Sequence, residues 1–193
     1  IFMGILMFTG KMNAITGYLS GTQTISKETE KKETDEDTKA EDKQEIYPAS
    51  DFVLKDQYGN AHSLADYKGK TIFLNFWATW CGPCRNEMPE IQKIYEETQQ
   101  EEDSDLVILG IAAPGFGKEG SQEEIETFLE ENGYTYPVLM DTTGEVFMEY
   151  GISAYPTTFM VDKDGNLFGY IQGQLNEDMM RSIIRQTMEG KRE

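Results

Sequence analysis

Two stretches of the chain, Thr71 to Phe76 and Leu106 to Ile111, are continuous apolar runs of strand length, the pattern of central parallel strands covered on both faces. Between them Met88, Ile91, Ile94 and Tyr95 recur at helical spacing, which predicts a helix from about Cys84 to Thr98 with a bend at Pro89. A second helix is predicted to begin at Ser121, where the hydroxyl and Glu124 form a capping-box pattern ahead of Ile125, Phe128 and Leu129, and to stop near Asn132-Gly133. Val138 to Met140 reads as a short strand, Glu145 to Tyr150 as a short helix, and Thr157 to Val161 as a strand paired with Leu167 to Ile171 through the turn at Asp162 to Asn166. Asn176 caps a last helix, in which Met179, Ile183 and Ile184 share one side with Met180 and Met188 nearby, and these methionines are expected in the core. Upstream, the turn cluster Asp56 to Asn60 separates Phe52-Val53-Leu54 from His62-Ser63-Leu64, as in a hairpin. Alternating strands and helices of this kind make an α/β domain.

The pattern changes before Ile46. Ile1 to Phe8 is almost wholly apolar and, with Ala14, Ile15 and Leu19, reads as the remnant of an export signal or membrane anchor, although the run is shorter than the ~20 residues of a membrane span. A leader of incidental composition is the competing reading. Leu19-Ser20-Gly21 resembles the approach to a bacterial lipoprotein site, but Thr22 stands where the lipidated cysteine would be. Residues 26–45 are Lys, Glu, Asp and Thr with almost no apolar side chain, a segment that cannot bury enough surface to offset its ordering entropy. The expected organisation is a truncated leader over 1–25, a charged flexible tether over 26–45 and one folded domain over 46–193, with a possible membrane tether through the N-terminus.

Aspartate and glutamate outnumber lysine and arginine by 35 to 17, and a surface of formal charge -18 repels phosphate backbones, so nucleic acid is not an expected partner. Only two cysteines occur, Cys81 and Cys84, too close in sequence to staple a long loop, so the fold must rest on its apolar core. Two thiolates and the single imidazole of His62 fall short of the four ligands of a structural zinc site, and neither metal nor cofactor is expected.

Cys-x-x-Cys where a strand hands over to a helix places the first sulfur at the helix N-terminus, where free amides and the dipole favour a thiolate. Cys81 is the expected nucleophile, exposed at the helix end, and Cys84, one turn further in and sheltered, the resolving thiol. Pro83 lacks an amide proton and Gly82 adds freedom, so this dipeptide tunes the balance between dithiol and disulfide. The bland alternatives are an inert buried pair or half of a zinc knuckle, and no second Cys-x-x-Cys is available to complete the latter.

The segment Phe76-Trp77-Ala78-Thr79-Trp80-Cys81-Gly82-Pro83-Cys84-Arg85, followed by Glu87 and Pro89, resembles the active-site segment of the TlpA/ResA-like branch of the thioredoxin superfamily. The resemblance implies a thioredoxin fold, a central mixed β-sheet flanked by helices, with an N-terminal β-hairpin at about Asp51 to Leu64 and a helix-strand insertion at about Ser121 to Tyr150. Gly151 to Phe159 resembles the family loop whose proline is cis and faces the dithiol. That implies a cis Tyr155-Pro156 bond, with Tyr155 giving main-chain hydrogen bonds to substrate and Trp80 belonging to the active-site surroundings. Two residues depart from relatives: Asn75 replaces the buried aspartate of thioredoxins proper, and Gly82 the acid that some relatives place between the cysteines. The proton acceptor for Cys84 is left open between Glu87, a water, or no fixed group.

Family resemblance further implies a monomeric, extracytoplasmic bacterial reductase of protein disulfides. Its implied substrates are apocytochrome c cysteines, an oxidised methionine sulfoxide reductase or a peroxidase, with a membrane thiol-disulfide electron carrier restoring the dithiol. Two alternatives stand beside it. Asp51 to Leu54 and Ala112 to Phe116 look somewhat like a peroxiredoxin, though the Pro-x-x-x-Thr-x-x-Cys motif is missing. A copper-handling module would need cysteines spaced by three residues.

Overall fold

The computed structural model describes residues 46–101 and 103–192; the leader and tether expected over 1–25 and 26–45 lie outside the described residues. Among these residues seven strands form one sheet: β1 (Val53–Asp56), β2 (Ala61–Ser63), β3 (Thr71–Phe76), β4 (Leu106–Ala112), β5 (Val138–Met140), β6 (Thr157–Val161) and β7 (Leu167–Gln172). Their order is β2-β1-β5-β4-β3-β6-β7. The two continuous apolar runs are β3 and β4, paired in parallel from Thr71 opposite Leu106 to Phe76 opposite Ile111. Every residue of β3 is buried, as a strand covered on both faces requires. β5 lies parallel to β4, whereas β1 and β6 run antiparallel to β5 and β3, so the sheet is mixed and the fold is that of thioredoxin.

The hairpin is set slightly later in sequence than its apolar pattern suggests. Asp56 closes the turn by accepting from the amides of Tyr58 (2.9 Å) and Asn60 (2.8 Å) and from Asn60 Nδ2 (3.1 Å), which extends β1 as far as Asp56 itself. His62 is held between Asp56 and Tyr67, both ring nitrogens engaged.

Among the described residues four α-helices cover the sheet: α1 (Gly82–Thr98), α2 (Gln122–Glu131), α3 (Glu145–Glu149) and α4 (Glu177–Glu189). The capping box of α2 is complete, Ser121 accepting from the Glu124 amide while the Glu124 carboxylate takes the Ser121 amide. Asn176 caps α4 through the Met179 amide. In α4 the buried stripe is Met180, Ile183, Ile184 and Thr187, and the expectation for the other methionines is corrected: Met179 and Met188 are exposed. Successive helical residues point about 100° apart, so Met179 cannot share the face of Met180.

The alternation along β3 divides the core. Phe73 and Trp77 face α1 and α4 with Met88, Ile91, Met160 and Met180, while Ile72, Leu74 and Phe76 face the other side with Leu109, Phe147, Tyr150 and Phe159. α1 and α4 are further tied by Arg181, which donates to both Glu97 oxygens and to Glu177, and by Lys93, which donates to Glu177. Among the described residues no helix is long and apolar enough to cross a membrane.

Candidate active site

β3 ends at Phe76, and the chain turns through Trp77 to Trp80 into Cys81. The helix that follows starts earlier than the apolar spacing indicated, because Cys81 is its N-cap and Gly82 and Pro83 occupy its first turn. Proline is tolerated there because first-turn amides have no intrahelical acceptor. Cys81 keeps extended backbone angles, φ -81° and ψ 105°, and its sulfur accepts from the Cys84 amide at 3.2 Å. The first cysteine therefore holds the position usually taken by serine or aspartate, receiving a helix N-H on an atom that becomes an anion. Cys81 and Cys84 are joined as a disulfide, with their Cα atoms 5.3 Å apart. Cys84 is fully buried and Cys81 is only 5% exposed, so the expectation of an openly exposed first sulfur is corrected. In the disulfide Cys81 sits among Trp77, Ala78 and Cys84 in the core cluster, and the exposed residues of the motif are Gly82 and Pro83. A side chain at Gly82 would meet nothing within 4 Å, so sterics do not require glycine there.

β6 begins at Thr157 opposite Phe76, so the residues before β6 come up beside the end of β3. The Tyr155-Pro156 peptide in that approach is cis. Thr157 Oγ1 donates to Ala154 O at 2.8 Å and Gly173 N to Pro156 O at 2.8 Å, fastening the loop on both sides of the proline. Trp80 meets Tyr155 edge to face, ring centroids 5.6 Å apart. Burial pushes the Tyr155 phenol up, with a further push from the negative charge of Glu119.

Below the dithiol lies a polar group enclosed by the core. Glu87 is fully buried; its Oε1 accepts from Asn75 Nδ2 at 2.9 Å and its Oε2 from the Leu175 amide at 2.8 Å. Asn75 Nδ2 also donates to Thr158 Oγ1 at 3.0 Å, across the β3–β6 pair. Burial raises the Glu87 carboxyl to about 7, against the lowering effect of its two hydrogen bonds. Asn75 Oδ1 has no hydrogen-bond partner among the described residues.

Thr79 and Glu119 complete the surroundings, and sequence reasoning passed over both. The Glu119 carboxylate accepts from the Thr79 amide at 2.7 Å and from the Thr79 hydroxyl, and also takes the Gly120 amide at 2.9 Å. It clips the loop after β4 to the residue before Trp80. Lys118 on the same loop stands over the Trp80 ring, 5.6 Å from its centroid. The available signal was a lone carboxylate within the glycine-rich run Gly115 to Gly120, which names no partner until the tertiary fold brings Thr79 to it.

The family model described as Redoxin matches residues 39–187. The thiol-disulfide oxidoreductase ResA of Geobacillus thermodenitrificans is 37% identical over 136 residues, 70% of this chain and 74% of that protein. The thioredoxin-like protein YneN of Bacillus subtilis is 39% identical over 123 residues, 63% of this chain and 68% of that protein. Among solved structures, the exposed lipoprotein thioredoxin Etrx1 of Streptococcus pneumoniae superposes with a TM-score of 0.64 at 31% identity, over 71% of this chain and 99% of that one. StoA of Bacillus subtilis gives 0.61 at 26% identity, over 69% and 95%. A cysteine-capped helix on a thioredoxin sheet, with this family match and these relatives, places the chain in the Redoxin family as a ResA-like thiol-disulfide oxidoreductase.

Proposed function

We propose that the protein is an extracytoplasmic reductase of protein disulfides, with Cys81 as attacking and Cys84 as resolving thiol. The observation that carries this reading is the capping geometry: the Cys81 sulfur receives the Cys84 amide at the start of α1, which favours its thiolate. In the dithiol form the Cys81 thiolate attacks a substrate disulfide, forming a mixed disulfide and releasing one substrate thiolate. Cys84 then loses its proton and attacks the Cys81 sulfur, so that the second substrate thiol departs and the Cys81-Cys84 disulfide closes. Two electrons pass to the substrate, and a membrane thiol-disulfide carrier returns them.

Glu87 is the proposed acceptor of the Cys84 proton. It lies one helical turn beyond Cys84, and its carboxyl, raised to about 7, is close enough to the usual thiol range for transfer in either direction. Asn75 holds that carboxylate in place. Tyr155 and Pro156 are proposed to line the polypeptide-binding side, pairing main-chain groups with the substrate strand. Gly82 and Pro83 set the dithiol–disulfide balance, and Trp80 shields the attacking sulfur. The extracytoplasmic placement is supported by the pneumococcal neighbour described as an exposed lipoprotein thioredoxin. Candidate substrates are apocytochrome c cysteines, an oxidised methionine sulfoxide reductase or a peroxidase.

The test is covalent trapping. Cys84→Ser is expected to accumulate an intermolecular disulfide with its partner in the host, identified by mass spectrometry, while Cys81→Ser accumulates none. Reduction of insulin disulfides by both variants at the parent's rate would overturn the mechanism.

A further inference from the structure

Two cations stand at the dithiol end of the domain on aromatic rings rather than on carboxylates. Lys118 lies over the Trp80 ring, 5.6 Å from its centroid, and Trp80 is the residue before Cys81. Arg85 lies over the Phe128 ring at 5.4 Å, and Phe128 in turn meets Trp77 at 5.7 Å. Arg85 also closes the first turn of α1, its amide donating to Cys81 O at 3.1 Å, and residues four apart at a helix start share one face. Both cations are exposed, and Trp80 is 47% exposed.

That neither is paired is unusual in a chain where acids outnumber lysine and arginine by 35 to 17. Where α1 meets α4, Lys93 and Arg181 are both held by carboxylates, those of Glu177 and Glu97. Among the described residues neither Lys118 nor Arg85 forms an ion pair. Two carboxylates on the loop of Lys118 and at the helix start that follows it are already engaged by backbone amides. Glu119 takes those of Thr79 and Gly120, and Glu124 takes that of Ser121. An ammonium or guanidinium seated on a ring face keeps its other sides open to an anion.

The range of the forces decides what this does to a client. Charges in water are screened over about 8 Å at physiological salt, so an acidic group beside the reacting cysteine responds to Lys118 and Arg85 before it responds to acids spread over the rest of the surface. We infer that Lys118 and Arg85 form an anion-selecting rim at the dithiol, so that the preferred clients are polypeptides with aspartate or glutamate close in sequence to the reacting cysteine. The inference rests on the proposed redox role of Cys81 and deepens it. It runs against the net charge of the chain, which by itself favours basic clients.

Three peptides that differ only in aspartate, asparagine or lysine beside an intramolecular disulfide test it, with the reduced full chain as reductant. The readout is the second-order rate constant, divided for each peptide by its rate with dithiothreitol. At about 0.15 M salt the parent is expected to reduce the aspartate peptide about five-fold faster than the lysine peptide, with asparagine between them. At about 1 M salt, where screening acts over about 3 Å, that ratio is expected to fall towards one. Lys118→Gln and Arg85→Gln, both at exposed positions, are each expected to lower it about two-fold, and the double variant to abolish it. Equal rates or a lysine preference with the parent overturns the rim. So does a change in the variants that is the same for all three peptides, since the cations then act on the Cys81 thiolate and not on the client. Hydroxyethyl disulfide, which is uncharged, separates the two readings: a parent that reduces it without an aspartate preference has the redox role but no rim, and one that reduces no disulfide has neither.

Discussion

Asn75 and Glu87 meet at 2.9 Å in the sealed interior, an amide of the central strand donating to a carboxylate of the helix that the dithiol begins. Thioredoxins proper place the carboxylate on the strand; here it is on the helix, and the strand supplies the donor that fixes it.

Stability should therefore depend on pH through Glu87. Its folded-state value is raised from 4.5 to about 7, so between those values the folded protein keeps a proton that the unfolded chain has released. The contribution is fully present below about pH 4.5 and is lost as pH rises through 7, with a difference on the order of 3 kcal/mol. Urea unfolding at pH 5 and pH 8 should show Glu87→Gln gaining on the parent at the higher pH. The variant can keep its bonds if the Asn75 amide turns over and uses its vacant Oδ1. Equal pH dependence in both proteins would contradict the assignment.

Asn75→Asp should behave oppositely. It sets a second carboxylate against the first, and two such groups at hydrogen-bond distance share one proton. A loss of a few kcal/mol at pH 8, largely recovered at pH 5, is expected from the same unfolding measurement.

Glu119→Ala leaves the Thr79 amide without its acceptor, at a cost of about 1–3 kcal/mol. Because Thr79 neighbours Trp80, hydrogen exchange should speed up at both the loop after β4 and the segment before Cys81. Exchange confined to residues 113–120 would show that the two segments are independent.

Gly110 is the tight point of β4. A methyl group there would lie 3.1 Å from the Tyr136 ring, 3.1 Å from Val138 and 3.2 Å from Trp77 Nε1, all within the buried cluster. Gly110→Ala should cost about 1–3 kcal/mol by overpacking, read as a lower urea midpoint with unchanged slope.

The parts legible in sequence are those encoded locally. Ser121 with Glu124, and Asn176, signal helix starts from a few residues each, and Cys-x-x-Cys after an apolar run marks a strand-to-helix handover. The ResA-like resemblance added the mixed sheet. What stayed hidden depends on how separate elements meet. The Asn75–Glu87 bond needs the register of β3 against β6 and the rotation of α1 over both. Glu119 needs its loop folded back onto Thr79. Met179 was misplaced by a single position, because 100° of helical phase separates it from Met180 and average periodicity does not resolve one residue.

The antiparallel pairing of β3 with β6 has one more consequence. Phe76 ends the one strand opposite Thr157, which begins the other, so Cys81 and Pro156 come to the same end of the pair although half of the domain lies between them in sequence. The loop around Phe116 and the short helix carrying Phe147 and Met148 both lie inside that excursion and both return to it. Residues 113–152 are therefore one excursion that starts where β4 ends and finishes shortly before the cis proline.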